Sequence, residues 1–347
     1  MQYRTLGSTG IMISEIGYGA WGIGGTNLWG GSRDEESLAA LHAAIDAGVS
    51  LIDTALIYGN GHSEALVGQV ARAHRERIFV ATKIPPLSTR IPTRWVRAKQ
   101  AFPADHIVAC TENSLRNLKL DHIDLQQLHI WRDKWLTDDD DWIEALRKMK
   151  EAGKIRWIGV SLPNHEPDLG LRLVETGLID SVQVIYNIFD QSPAETLFPA
   201  CLKHKVGVLV RSPFDEGGLT GAITAHTSFP TGDFRDSYFG GNRRTQLVAR
   251  VNSLSNLLDD ETRTLPDLAL RFCLANPAVS TVLAGMRTQQ HVVNNCMVSD
   301  GRALRADILH NLKAHTWPRN FYDSFPVAFV SKFERLVKTI FATRDET

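Results

Sequence analysis

No run of the sequence approaches the roughly 18 consecutive apolar residues that a helical bilayer span requires. The first thirty residues hold no basic segment followed by an apolar stretch, so no secretion signal is read and a cytoplasmic location is the expectation. Cysteine is scarce. The four present, Cys110, Cys201, Cys273 and Cys296, lie far apart, form no CxxC pair and fall in helix-like segments, which suits reduced packing residues rather than disulfides or zinc ligands. No metal site is indicated. An excess of charge of either sign is lacking too: 38 Lys+Arg against 39 Asp+Glu leave a formal net charge of −1, and no long-range field draws the molecule to nucleic acid or an anionic membrane. Small partners are the expectation, with self-association left open. No low-complexity tract or linker divides the 347 residues, and no GxGxxG follows an early strand to support a Rossmann domain.

What the chain does have is rhythm. Two short alternating runs flank a turn at Ser8 to Gly10 and read as a β-hairpin. Strand-like runs follow at Glu15 to Gly19, Val49 to Asp53, Ile78 to Thr82, Ile123 to His129, Ile155 to Ser161, Ser181 to Tyr186, Val206 to Arg211 and Thr281 to Ala284. Helical patterns lie between most of them, among them SRDEESLAALHAAIDAG and DDWIEALRKMKEAGK, the second acidic at its start and basic near its end as the helix dipole favours. Strands alternating with helices imply parallel pairing, and eight such units over this length favour a closed (β/α)8 TIM barrel. We therefore expect one α/β domain over 1–347, with the barrel at about 1–300 and a C-terminal extension at about 301–347. The extension carries Pro318, Pro326 and the amphipathic run FVSKFERLVKTIF, read as capping its own barrel or meeting a partner. A long Gly-, Thr- and aromatic-rich loop from about Gly221 to Arg244 follows the seventh strand, where barrel enzymes cover their ligands.

Three strand ends carry unlike polar groups: Asp53, Lys83 and His129, each directly at or one residue past an apolar run. In a barrel these ends share one rim, and Tyr58 follows Asp53 on a turn marked by Gly59 and Gly61. A carboxylate, a phenol, an ammonium and an imidazole suit carbonyl reduction, because hydride delivery leaves an alkoxide that must be protonated as it forms. Tyr58 would supply the proton, Lys83 would stabilise its phenolate, Asp53 would hold the ammonium, and an imidazole N–H of His129 would orient the carbonyl oxygen. Each residue alone has a plainer alternative: a strand-end cap for Asp53, a rim charge for Lys83, a core histidine for His129, a loop aromatic for Tyr58. Their coincidence at one predicted rim favours the chemical reading.

With these residues in place, the sequence resembles the aldo-keto reductase superfamily over nearly its whole length. The matching segments run in order: LGSTGIMISEIGYGAW, AIDAGVSLIDTALIYGNGHSEALVGQ, VATKI, SLRNLKLDHIDLQQLHIW, GKIRWIGVS, VQVIYN and AGMRTQQHVVNN. The resemblance implies an NADPH-dependent reductase of a small carbonyl compound that binds its nicotinamide cofactor without a Rossmann fold, with Asp53, Tyr58, Lys83 and His129 as catalytic tetrad.

The same resemblance assigns cofactor positions, with departures. Ser161 and Gln183 match residues that hold the nicotinamide carboxamide; Leu162 stands where Asn is common, and Asn164 is the substitute considered. Arg211 stands where many members stack an aromatic ring on the nicotinamide; a guanidinium can also stack, and a rim arginine paired with an acid is the alternative. Ser212, Pro213 and Phe214 open the segment matching the pyrophosphate loop, in which Asp215 and Glu216 are awkward unless they face away or pair with a basic residue. Gly285, Arg287, His291, Asn294 and Asn295 match the adenosine-phosphate segment at a helix N-terminus, and the Arg287 fork favours NADP over NAD. Trp21 and Trp131, with Phe239 in reserve, would line the substrate mouth or simply pack. A regulatory subunit of the same fold, of the kind that accompanies ion channels, is the alternative to a reductase.

Overall fold

The computed structural model describes residues 1–25, 29–87, 93–138, 140–317 and 319–322. Strands β1 (Tyr3–Thr5) and β2 (Met12–Ser14) pair antiparallel around a turn in which Gly10 takes φ 74°. Leu6 and Ile13 of this hairpin join Leu51, Phe79, Ala81, Leu125, Leu209 and Leu283 in one apolar cluster, so the hairpin plugs the barrel at the end opposite the polar rim. Leu6 seats directly on Gly207, where an added Cβ would lie 2.4 Å from the leucine Cδ1.

Eight parallel strands close the barrel: β3 (Ile16–Gly19), β4 (Leu51–Asp53), β5 (Phe79–Ile84), β6 (Ile123–Leu128), β7 (Ile155–Ser161), β8 (Ser181–Ile185), β9 (Gly207–Arg211) and β10 (Val279–Gly285). Closure comes from β10, which pairs with both β9 and β3. The expected strands are all present. The last is longer than its Thr281 to Ala284 core because it is hydrogen-bonded along both edges. Each barrel strand leads to a helix on the outside, such as Asp34–Asp46, His62–Ala73, Ala104–Leu118 and Asp141–Glu151. The last of these turns Trp142, Ile143, Ala145, Leu146 and Met149 inward, and places Asp141 and Glu144 in its first turn against Lys148 and Lys150 in its last.

Cys110, Cys201, Cys273 and Cys296 sit in outer helices and are all free. Among the described residues no helix is long and apolar enough to cross a membrane. The loop after β9 contains a short helix, Phe234–Tyr238, capped by the Asp233 carboxylate accepting from the Arg235 N–H at 2.9 Å. Beyond the helix Ala306–Leu312 the chain turns back over the rim, and the Trp317 N–H donates to the Phe189 carbonyl at 2.9 Å. The amphipathic run at 329–341, with Pro318 and Pro326, lies outside the described residues.

Candidate active site

The parallel register aligns strand ends at one rim, and alternation along each strand selects which side chains enter the lumen. Lys83 on β5 pairs with Gln127 on β6, and Asp53 ends β4 two positions above the inward Leu51. The Lys83 ammonium is fully buried and donates to Asp53 Oδ2 at 2.5 Å, to the Thr54 carbonyl at 2.8 Å and to Tyr58 Oη at 3.5 Å. Tyr58 in turn meets His129 edge to face, ring centroids 5.9 Å apart. The four residues expected to act together therefore do converge. Their loop is held by Gly59: it takes φ 63°, and a Cβ there would fall 1.7 Å from the Gly24 carbonyl oxygen, so only glycine lets the turn carrying Tyr58 close on the loop after β3.

Asp53 is more tightly held than the sequence suggested. Its second oxygen accepts from Gln127 Nε2 at 3.2 Å and Gln183 Nε2 at 2.9 Å. Gln127 is a site residue that sequence reasoning missed. The signal was available, since Leu125, Gln127 and His129 alternate onto the lumen face, and a buried amide two residues before a catalytic candidate needs a polar partner. Gln183, assigned above to the nicotinamide carboxamide, spends its amide nitrogen on Asp53.

Burial pushes the Tyr58 phenol above its ordinary value of 10; the positive charges of Lys83 and Arg211 pull the other way, and the Asp53 carboxylate adds to the rise. Lys83 acts in the expected sense, favouring the phenolate, but burial outweighs it. Desolvation of the phenolate outweighs an ammonium already neutralised by Asp53. His129 is held well below 6.5, first by burial and then by Lys83 and Arg211, so its imidazole is neutral, and its Nδ1 is buried without a partner. A protonated phenol and a neutral imidazole thus face one space: one can give a proton, and the other can donate a hydrogen bond without titrating near neutral pH.

The cofactor-side candidates cluster in two places. Ser161 ends β7 beside Gln183, and Arg211 ends β9, from which its Nη2 donates to the Leu162 carbonyl at 3.1 Å and to Asn164 Oδ1 at 2.8 Å. Asn164 therefore orients Arg211, and no acid pairs with this arginine among the described residues. Past it, Ser212, Asp215, Glu216 and Gly217 all take positive φ, between 50° and 95°. Asp215 pairs with Arg319 and accepts from Tyr238 Oη at 3.1 Å; Glu216 accepts from Ser212 Oγ at 2.7 Å and from Tyr322 Oη. Of the two ways out of the acidic-loop difficulty, Asp215 takes pairing with a base, whereas Glu216 is held by two hydroxyls. Arg319 is in turn enclosed by Trp317, Phe321 and Phe189 at 4.2, 4.9 and 5.2 Å. A contact spanning 104 residues leaves no spacing signal, so the sequence could not reveal it.

At the end of β10, Gly285 borders open space, and Arg287 donates to the Trp29 carbonyl at 2.7 Å and the Gly31 carbonyl at 2.5 Å. Thr288 caps the helix Gln289–Cys296 by accepting from the His291 N–H at 3.2 Å. His291 and Asn294 are exposed there, while Asn295 is buried with its amide toward the Gly285 carbonyl. A cleft of about 560 Å³ opens beside it, lined by Arg33, Glu35, Glu36, Ala39, Thr288, Gln289 and Gln290.

The loops after β3 and β9 meet above Tyr58. Trp21 is half-buried, stacks 6.1 Å from Tyr58, and contacts Trp29 at 5.3 Å and Phe234 at 5.0 Å; Arg235 lies over Trp29 at 4.7 Å. Trp131 is instead fully buried against Trp135 and Trp142, and Phe239 is buried against Phe229 and Tyr238, which is the packing alternative for both. Among the described residues no group of three His, Cys, Asp or Glu is placed to hold a metal ion.

Comparison with known proteins places this geometry among relatives. A family model described as the aldo/keto reductase family matches residues 15–315. Aldo-keto reductase YhdN of Bacillus subtilis is 35% identical over 83% of this chain and 85% of its own. The solved glycerol dehydrogenase of Gluconobacter oxydans superposes with a TM-score of 0.75 at 28% identity, covering 93% of this chain and 98% of that one, and an aldo/keto reductase from Klebsiella pneumoniae in complex with NADP and acetate gives 0.68 at 25%, covering 92% and 98%. Other relatives carry divergent names: an NADH-specific methylglyoxal reductase of Escherichia coli at 29% identity (85% of this chain, 92% of its own) and a probable voltage-gated potassium channel subunit beta of Arabidopsis thaliana at 27% (86% and 92%).

Proposed function

The chain belongs to the aldo/keto reductase family, and from that premise we propose that it reduces an aldehyde or ketone to the alcohol with NADPH, Tyr58 acting as general acid. The observation that carries this reading is the buried Lys83 bridging the Asp53 carboxylate and the Tyr58 hydroxyl beside a neutral His129. NADPH supplies a hydride to the carbonyl carbon. Tyr58 gives its proton to the carbonyl oxygen as that bond forms, so the balance is carbonyl plus NADPH plus a proton to alcohol plus NADP⁺. Lys83 steadies the phenolate left behind, Asp53 holds Lys83, and the His129 N–H fixes the oxygen within reach of Tyr58. Trp21, stacked near Tyr58, forms one wall of the substrate space.

The residues present suit such a dinucleotide. Arg211 Nε is a buried, unpartnered donor at the tetrad rim, Gly285 leaves room for close approach, and a capped helix N-terminus borders the cleft beside Arg287. Ser161 and Gln183 would hold the carboxamide, with Asn164 acting through Arg211. Ser212, Pro213 and Phe214 would line the pyrophosphate; Arg287, His291, Asn294 and Asn295 would take the adenosine phosphate. The complex of the Klebsiella relative with NADP supports the phosphorylated cofactor.

Steady-state oxidation of NADPH against a panel of aldehydes, ketones and dicarbonyls tests the activity. The phosphate preference has its own test. Losing a charge-assisted contact costs about 1.5–3 kcal/mol, so Arg287→Ala should weaken NADPH roughly ten- to hundredfold in a fluorescence titration while changing NADH little. Because Arg287 also ties down the loop at Trp29 and Gly31, equal weakening of both cofactors would mean that it acts only through that loop. Dialysis against a strong chelator should leave reduction intact; loss restored by zinc or magnesium would point instead to metal-dependent chemistry and overturn the role given to His129. The likeness to a channel beta subunit supports a second reading, a cofactor-sensing regulatory protein. Cofactor binding with no turnover on any carbonyl of the panel would favour it.

A further inference from the structure

Among the described residues, Arg211 is a charge with no carboxylate in contact at the centre of the site. The pairing of Ile185 with Arg211 puts it at the rim that carries the tetrad, and its Nη2 bonds pin the guanidinium across β8 to the turn after β7. Both partners are neutral. Nε is buried and unpartnered, and among the described residues no carboxylate pairs with the group. The nearby acids are otherwise engaged: Asp53 accepts from Lys83, Gln127 and Gln183, and Glu216, which feels the Arg211 charge through space but makes no contact with it, accepts from Ser212 and Tyr322 while burial raises its pKa. The Arg211 charge reaches both Tyr58 and His129. Lys83 has Asp53 in direct contact, whereas Arg211 brings its positive charge to the reacting centre with no carboxylate touching it.

A carbonyl whose oxygen lies at Tyr58 and His129 fixes where the hydride donor must be, since reacting atoms approach to about 3–3.5 Å. The nicotinamide ring then lies within Coulombic range of Arg211 whatever its exact pose. A reduced ring is neutral and an oxidised ring carries a positive charge, while the phosphates are the same in both. We propose that Arg211 makes the site selective for the oxidation state of the cofactor, holding NADPH and repelling NADP⁺. This rests on the nicotinamide reading above and deepens it: the spent cofactor is the weaker ligand, which favours reduction over alcohol oxidation. Like charges about 10 Å apart at an effective dielectric constant near 20 shift an equilibrium by roughly tenfold.

The test measures dissociation constants of NADPH and NADP⁺ by titration without substrate, for wild type, Arg211→Gln and Arg211→Lys. Gln keeps an amide donor toward Leu162 and Asn164 but removes the charge; Lys keeps the charge and loses the fork. The NADP⁺ to NADPH ratio of dissociation constants should fall by about tenfold in the Gln variant and stay close to wild type in the Lys variant. A ratio unmoved by Gln, or moved equally by Gln and Lys, overturns the proposal and leaves Arg211 a shape determinant. Failure of wild type to bind either form would overturn the nicotinamide reading as well, whereas binding of both at a charge-independent ratio sinks this inference alone.

Discussion

Tyr58→Phe is expected to lower turnover by about 10²- to 10⁴-fold while leaving NADPH binding nearly unchanged. The substitution keeps the ring that stacks with Trp21 and meets His129, and removes the oxygen that Lys83 approaches at 3.5 Å. Single-turnover kinetics and a cofactor titration separate the two quantities. The pH profile adds a signature. The donor is the protonated phenol, and burial raises its pKa above 10, so in wild type Tyr58 should impose no fall in reduction rate through neutral pH, only at alkaline pH above that raised pKa. Because His129 is held well below 6.5, the neutral imidazole persists on the same plateau, and any limb from His129 lies on the acid side. Near-wild-type reduction by Tyr58→Phe would mean that the tetrad is not catalytic in this chain, and the regulatory reading would then be the better one.

The strand ends were legible because their residues follow a simple rule. Asp53, Lys83 and His129 each terminate an apolar run, and parallel register converts that linear feature into a common rim. β7 falls at the expected Ile155–Ser161, and the helix Asp141–Glu151 lies inside its predicted segment because the apolar stripe and the charge gradient agree. Less was legible where a side chain's partner is distant in sequence. Gln183 reaches Asp53 across 130 residues, and Arg319 reaches Asp215 across 104, so neither pairing leaves a local pattern. The net direction of the Tyr58 shift was not legible for a related reason: proximity to Lys83 could be inferred from the rim, but the depth of burial that outweighs it depends on the covering loops.

Lys83→Met should show two separable losses, one of stability and one of turnover. Lys83 is fully buried and Asp53 is 4% exposed, so removing the ammonium leaves a carboxylate with amide donors on one oxygen only. Breaking such a buried pair costs about 3–5 kcal/mol, which thermal unfolding would register as a large fall in midpoint. Turnover falls for a separate reason. The ammonium opposes the rise in the Tyr58 pKa, and without it the phenol is a weaker acid by a margin we expect to cost on the order of 10²-fold. Asp53→Asn combined with Lys83→Met separates the effects, because removing both charges relieves the unpaired carboxylate but leaves Tyr58 without its cation. Recovered stability without recovered turnover is the expected result for the double variant. If it stayed as unstable as Lys83→Met, the loss would come from packing rather than from the ion pair, and if Lys83→Met turned over like wild type, Lys83 would have no part in the proton transfer.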